Sequence, residues 1–125
     1  MPIVNHDTLD ETPWRPNYRK WNITREGDGT EKSHLSYSEV GKGTGSPLHV
    51  HDIEELMVVL GGVIEVRLGD EIQQVGSGHT IVVPPNTPHN FRNVGQTNAR
   101  ILVFYPVSDP SKHTRYIEGQ PPSSG

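Results

Sequence analysis

A single alanine, Ala99, stands against 13 Val, 8 Ile and 9 Thr in this 125-residue chain. Alanine is the strongest helix former, whereas β-branched side chains lose freedom in a helix and pack well on a pleated surface. A further 13 Gly and 11 Pro punctuate the sequence, which calls for short strands and tight turns. A helical bundle is thereby excluded and an all-β domain expected. At 13.9 kDa the length suits one domain, residues 1–125. Its core is expected over about 18–107. Residues 1–16, with Pro2, Pro13 and Pro16, read as an irregular arm, and about 108–125, with Pro110, Pro121 and Pro122, as a loose tail.

The same composition narrows the function. Mean hydropathy is −0.60, and the longest apolar run, Leu56 to Leu60, falls far short of the roughly 20 residues of a spanning helix. No membrane role is expected. The absence of cysteine excludes disulfides, thiolate metal sites and cysteine nucleophiles, and fits a reducing compartment. The N-terminus shows no basic segment followed by an apolar one, so a cytoplasmic location is expected. Net charge is −4 with no Lys/Arg cluster, which gives no support to nucleic-acid binding. No internal repeat is evident.

Short β signals fill the middle of the chain. They cover Tyr18 to Arg25, Ser33 to Val40, Glu55 to Leu60, Val63 to Leu68, Glu71 to Val75, Thr80 to Val83, His89 to Val94 and Ala99 to Val107. Eight or nine strands at this spacing fit a sandwich or barrel. Gly61-Gly62 reads as a hairpin turn between the third and fourth of these segments.

His49 and His51 lie two residues apart on an extended segment, so both rings point to one face. Glu55 follows at the start of an apolar strand, and His89 opens another strand after Pro84-Pro85-Asn86-Thr87-Pro88. Were those strands neighbours facing one interior, three imidazoles and a carboxylate would converge. That donor set suits Mn, Fe, Co, Ni, Cu or Zn, and would leave about two positions open on a six-coordinate ion. Taken singly each residue has a plainer reading. His-x-His occurs in many surface loops, Glu55 could be a solvated charge, and His89 could be a satisfied core histidine.

The wider pattern resembles the cupin superfamily. Gly43, His49, His51, Glu55 and Gly62 fall on the fixed positions of the first cupin motif, G-x5-H-x-H-x(3,4)-E-x6-G. Gly78, Pro84, His89 and Asn93 match the second, G-x5-P-x-G-x2-H-x3-N, with Asn86 where the family has Gly. Asn is the residue that best replaces Gly at positive φ. The resemblance implies a single-domain cupin-type β-barrel, a double-stranded β-helix or jelly roll. It implies His49, His51, Glu55 and His89 as ligands of a divalent transition metal, and a structural Asn93.

Two functions follow from it. One is a metal-dependent enzyme, a dioxygenase, isomerase or lyase acting on a small oxygenated molecule, with Glu55 also the catalytic candidate. The other is a non-catalytic barrel that binds a sugar or effector. Tyr37, Met57 and Phe91 have parities that would line the pocket. Arg67 and Arg92 are expected to face solvent, His79 to sit in a surface turn, and His34 to be structural. Trp14 and Trp21 are candidates to anchor the arm across the barrel or onto a second copy in a homodimer.

Overall fold

The computed structural model describes residues 3–25 and 27–122. The alternating segments form β1 (Thr12–Arg15), β2 (Tyr18–Asn22), β3 (His34–Val40), β4 (Gly45–His51), β5 (Glu55–Gly61), β6 (Val63–Leu68), β7 (Glu71–Gly76), β8 (Thr80–Val83), β9 (His89–Asn93), β10 (Ala99–Tyr105) and β11 (Thr114–Tyr116). Two single 3-10 turns, His6–Thr8 and Pro110–His113, are the only helical segments among the described residues. The strands make two antiparallel sheets, ordered β1-β2-β3-β10-β5-β8 and β11-β4-β9-β6-β7. This is the all-β sandwich that composition and turn spacing call for, in the jelly-roll form that the cupin resemblance implies.

Three expectations give way. The arm is not irregular throughout, because Thr12–Arg15 pairs with β2. The tail is not loose throughout, because Thr114–Tyr116 pairs with β4. Both strands are short and flanked by proline, which hides them from a search for alternating runs. The Gly61-Gly62 turn is not a hairpin either. β5 pairs with β10 and β8, while β6 pairs with β7 and β9, so the chain crosses from one sheet to the other at this point. Gly62 has φ +85°, and a Cβ there would lie 2.8 Å from Ala99 Cα. The tight corner therefore needs glycine twice over, for its backbone angle and for its closeness to β10. The Gly69-Asp70 turn between β6 and β7 is a true two-residue hairpin, with Leu68 opposite Glu71.

The inward face of each strand supplies the core. Val40, Met57, Val59, Ile64, Val66, Ile81, Val83, Ala99 and Ile101 pack between the sheets. Fully burying side chains of this size contributes roughly 1.5–3 kcal/mol each before entropy is counted. β3 shows how the packed end grades into a cavity. His34, Ser36, Ser38 and Val40 all point inward and are buried. Only Val40 joins the apolar cluster, whereas the other three line a cavity of about 380 Å³. At the corner before β9, Asn86 takes φ 61°, the conformation expected of a residue standing in for Gly.

Candidate metal centre

β4 and β9 are neighbours, and His49 lies directly opposite His89. The two-residue spacing turns His51 to the same side as His49. Glu55 enters from the facing sheet, at the first position of β5 opposite Val83. All four side chains are buried, and each offers a donor atom within 4.8 Å of the others. The His49 and His89 ring centroids are 4.2 Å apart, and those of His51 and His89 5.0 Å.

Each ring is held by its Nδ1. His49 Nδ1 lies 2.7 Å from the Pro47 carbonyl and His89 Nδ1 2.9 Å from the Thr87 carbonyl. A carbonyl oxygen only accepts, so both nitrogens carry hydrogen. His51 Nδ1 lies 2.8 Å from Thr114 Oγ1, whose own hydrogen goes to the Pro110 carbonyl at 2.8 Å. Thr114 therefore accepts from His51. In the neutral state all three Nε2 atoms are then bare lone pairs facing the centre, as metal-binding imidazoles require.

Charge at the centre calls for a cation. His89 Nε2 is 2.9 Å and His51 Nε2 3.3 Å from Glu55 Oε1, and His51 Nε2 is buried without a hydrogen-bond partner. A lone pair against a carboxylate is repulsive unless a proton or metal ion lies between them. The donor set thus fits a divalent first-row ion. Burial pushes the Glu55 carboxyl up, but with a proton in the cation's place, donated from the His51 and His89 Nε2 atoms, the rings more than offset this and hold it well below the usual carboxylate range. Tyr105 donates its hydroxyl to Glu55 Oε2 at 3.0 Å. Burial, with the Glu55 charge beside it, keeps that phenol protonated far above its ordinary value.

The four motif residues meet at one wall of the cavity. Met57 and Phe91 also line it, as their parities suggest, but Tyr37 does not. Tyr37 shares its side of β3 with Leu35 and Glu39, and its ring packs on Trp21 at 5.7 Å on the outer face of the sheet. The inward side of β3 is the one bearing His34, Ser36 and Ser38, so an apolar-inside rule selects the wrong side here. Arg67 and Arg92 stay off the cavity, and His79 is exposed with Nδ1 2.9 Å from the Gly76 carbonyl. Trp14 folds over its own cavity.

Sequence reasoning missed Lys20, Arg15, Tyr105 and Thr114. Tyr105 was readable in principle, since it has the parity of buried Ile101 and Val103. Thr114 carries no local signal at all, being 63 residues from the ring it holds.

Two buried imidazoles set a pH dependence. Burial pushes His49 and His34 down to about 4 from an unfolded value near 6.5. Between those values the unfolded chain takes up protons that the folded chain refuses, so acid favours unfolding. The stability of metal-free protein should be fully present above about pH 6.5 and fall as pH drops towards 4. Thermal melts in the presence of a chelator check this, and a midpoint that stays flat or rises over that window contradicts it.

Comparison with known proteins agrees with this geometry. Residues 36–105 match the cupin domain family. Protein SchB of Streptomyces halstedii is 30% identical over 103 residues, covering 78% of this chain and 72% of that protein. The uncharacterized protein MJ1618 of Methanocaldococcus jannaschii is 36% identical over 72 residues, covering 57% of this chain and 58% of its own. Among solved structures, the polyketide cyclase RemF from Streptomyces resistomycificus superposes with a TM-score of 0.79 at 24% identity, over 96% of this chain and 87% of that one. The jelly roll places the chain in a class, the small all-β sandwiches, and its buried group of three histidines and a glutamate could hold a metal ion. Within that class this chain belongs to the cupin family.

Proposed function

We propose that this cupin is a metal-dependent enzyme acting on a small polycarbonyl or phenolic substrate. The observation that carries this reading is the set of three anchored imidazoles whose Nε2 atoms share a centre with one dry carboxylate, at the wall of a cavity of about 380 Å³. His49, His51, Glu55 and His89 would hold the ion. When bound, it supplies a Lewis acid that stabilises negative charge on a substrate oxygen.

Among the reactions open to a cupin, making or breaking a carbon–carbon bond is favoured by the aromatic lining of the cavity and by the fold shared with a polyketide cyclase. Such a step takes a proton from a carbon acid and delivers one to a carbonyl oxygen. Tyr105 keeps its own proton and orients the Glu55 carboxylate by a hydrogen bond, and that carboxylate, held below the usual range, is fitted to face a cation rather than to take up a proton. Phe91, Tyr18 and Tyr116 give the cavity aromatic walls that suit a flat or folded polycarbonyl chain. RemF is a polyketide cyclase with this fold, which makes ring closure of a polyketide chain the first reaction to try.

Metal analysis of protein purified without an affinity tag, followed by poly-β-ketone and phenolic substrates with and without oxygen, tests the reading. The expected result is one divalent ion per chain and conversion that chelation abolishes and oxygen does not require. A protein that takes up no divalent metal overturns it. One that binds metal and ligand yet converts nothing is a binding barrel instead.

A further inference from the structure

Away from the histidine cluster, the cavity carries two cations that form no ion pair among the described residues. Lys20 on β2 is only 9% exposed. Its Nζ sits 3.4 Å from the centroid of the Trp14 ring and forms no ion pair among the described residues. Arg15 on β1 lines the same cavity, with Nη2 buried and unpartnered. Its guanidinium lies over the Tyr116 ring, 5.4 Å from the centroid.

Local structure explains how they come together. Tyr18, Lys20 and Asn22 alternate inward along β2 and all line the cavity. On β1 the register with β2 shifts between Thr12 and Arg15. A shift of this kind lets two consecutive side chains, Trp14 and Arg15, both reach the cavity. Both acidic groups that line the cavity are committed elsewhere. Glu55 is held by His51, His89 and Tyr105. Asp109 accepts from the Ser111 backbone at 3.2 Å and pairs with Lys112 at 3.8 Å.

The buried Arg15 Nη2 without a hydrogen-bond partner costs free energy unless a ligand satisfies it, and the mostly buried Lys20 ammonium has only the Trp14 ring against it. We propose that Lys20 and Arg15 form a carboxylate-binding subsite, so that the substrate is an aromatic or polycarbonyl acid whose free carboxylate docks against β1 and β2. β3 and β10 separate this subsite from Glu55 on β5, which leaves room for the reacting carbons between the two ends. Lys20, pushed down to about 8 by burial, is still cationic at neutral pH. A free acid would be accepted, and its neutral amide or ester discriminated against. This names the substrate class for the enzyme reading above and rests on the cavity being its substrate pocket, but needs no metal.

Benzoate and its neutral counterpart benzamide serve as probes, titrated calorimetrically into metal-stripped and zinc-loaded protein at pH 7 and low ionic strength. Stripped wild-type protein should bind benzoate at least about tenfold more tightly than benzamide. Lys20→Met keeps the apolar stem and should lose about tenfold in benzoate affinity while changing benzamide less than about twofold. Lys20→Arg should retain benzoate. If Lys20→Met does not fold, Arg15→Gln is read in the same way.

Equal binding of the two probes by wild-type protein, or benzoate affinity unchanged in the charge-removing variant, overturns the subsite. Benzoate binding that needs zinc and ignores Lys20 assigns the anion to the metal, which also overturns the subsite yet leaves the metal-enzyme reading intact. Lys20-dependent benzoate binding by a protein that takes up no divalent metal leaves the subsite standing and removes that reading.

Discussion

Replacing His49 or His89 with alanine is expected to abolish stoichiometric metal binding while leaving a folded barrel. Each ring supplies one Nε2 to a centre whose donors all lie within 4.8 Å of one another. Losing one opens a position to solvent and removes a chelate arm. Loss of an outer-shell partner alone lowers metal affinity by roughly 10–100-fold, so loss of a ligand should exceed about 100-fold. Thr114→Val gives the intermediate case. It is close in shape to threonine but cannot accept from His51 Nδ1, and should fall in the 10–100-fold range. His6, exposed and outside the cavity, is the control, and His6→Ala should bind as wild type does. Metal per subunit, with melting in the presence and absence of added ion, reads the series, because an ion bound only to the native state raises stability by mass action. Full metal content in His49→Ala and His89→Ala would remove the histidine cluster from the account.

Asn93→Ala is expected to give the largest loss of stability of any change outside the metal cluster. Asn93 is 1% exposed. Its Nδ2 donates to the Val40 carbonyl at 2.9 Å and the Thr97 carbonyl at 2.8 Å, and its Oδ1 accepts from the Gly95 N–H at 2.9 Å. One side chain thus joins the end of β3 to the turn leading into β10. Alanine leaves the buried Val40 carbonyl without this partner, at about 1–3 kcal/mol, loses two part-buried bonds to the turn at about 0.5–1.5 kcal/mol each, and adds a small void. Partial relaxation at the turn offsets some of this, and a net loss of about 3–5 kcal/mol is expected, a large share of the roughly 5–15 kcal/mol that holds a domain together. Metal stoichiometry of the folded fraction should not change. Urea unfolding that shows a loss under about 1 kcal/mol would mean the turn holds itself without Asn93.

Much of the barrel was legible because its strands obey a local rule. Val63–Leu68 and Thr80–Val83 alternate cleanly between turn residues and appear where the sequence places them. The ligand set was legible because His-x-His fixes a shared face and the spacing of the remaining motif residues marks the turns that bring β9 beside β4. Long-range pairing was less legible. Gly61-Gly62 looks like a hairpin turn in isolation, and only the separate partners of β5 and β6 reveal a corner between sheets. The wall of the cavity was the least legible part. The cavity is lined by Ser36, Ser38 and Lys20 among others, and patterning by hydrophobicity assigns such residues to the surface. The choice of Tyr37 over its Ser neighbours is that error at a single strand.

The anchoring of His51 by Thr114 has a consequence for how the site comes into being. All four ligands lie between residues 49 and 89, yet the hydroxyl that fixes the His51 tautomer belongs to β11, the last strand described. During synthesis, which runs from the N-terminus, the metal-binding side chains leave the ribosome before the strand that sets one of them. The His51 ring is therefore set only once Thr114–Tyr116 has docked along β4, so the candidate centre is completed by the last strand described.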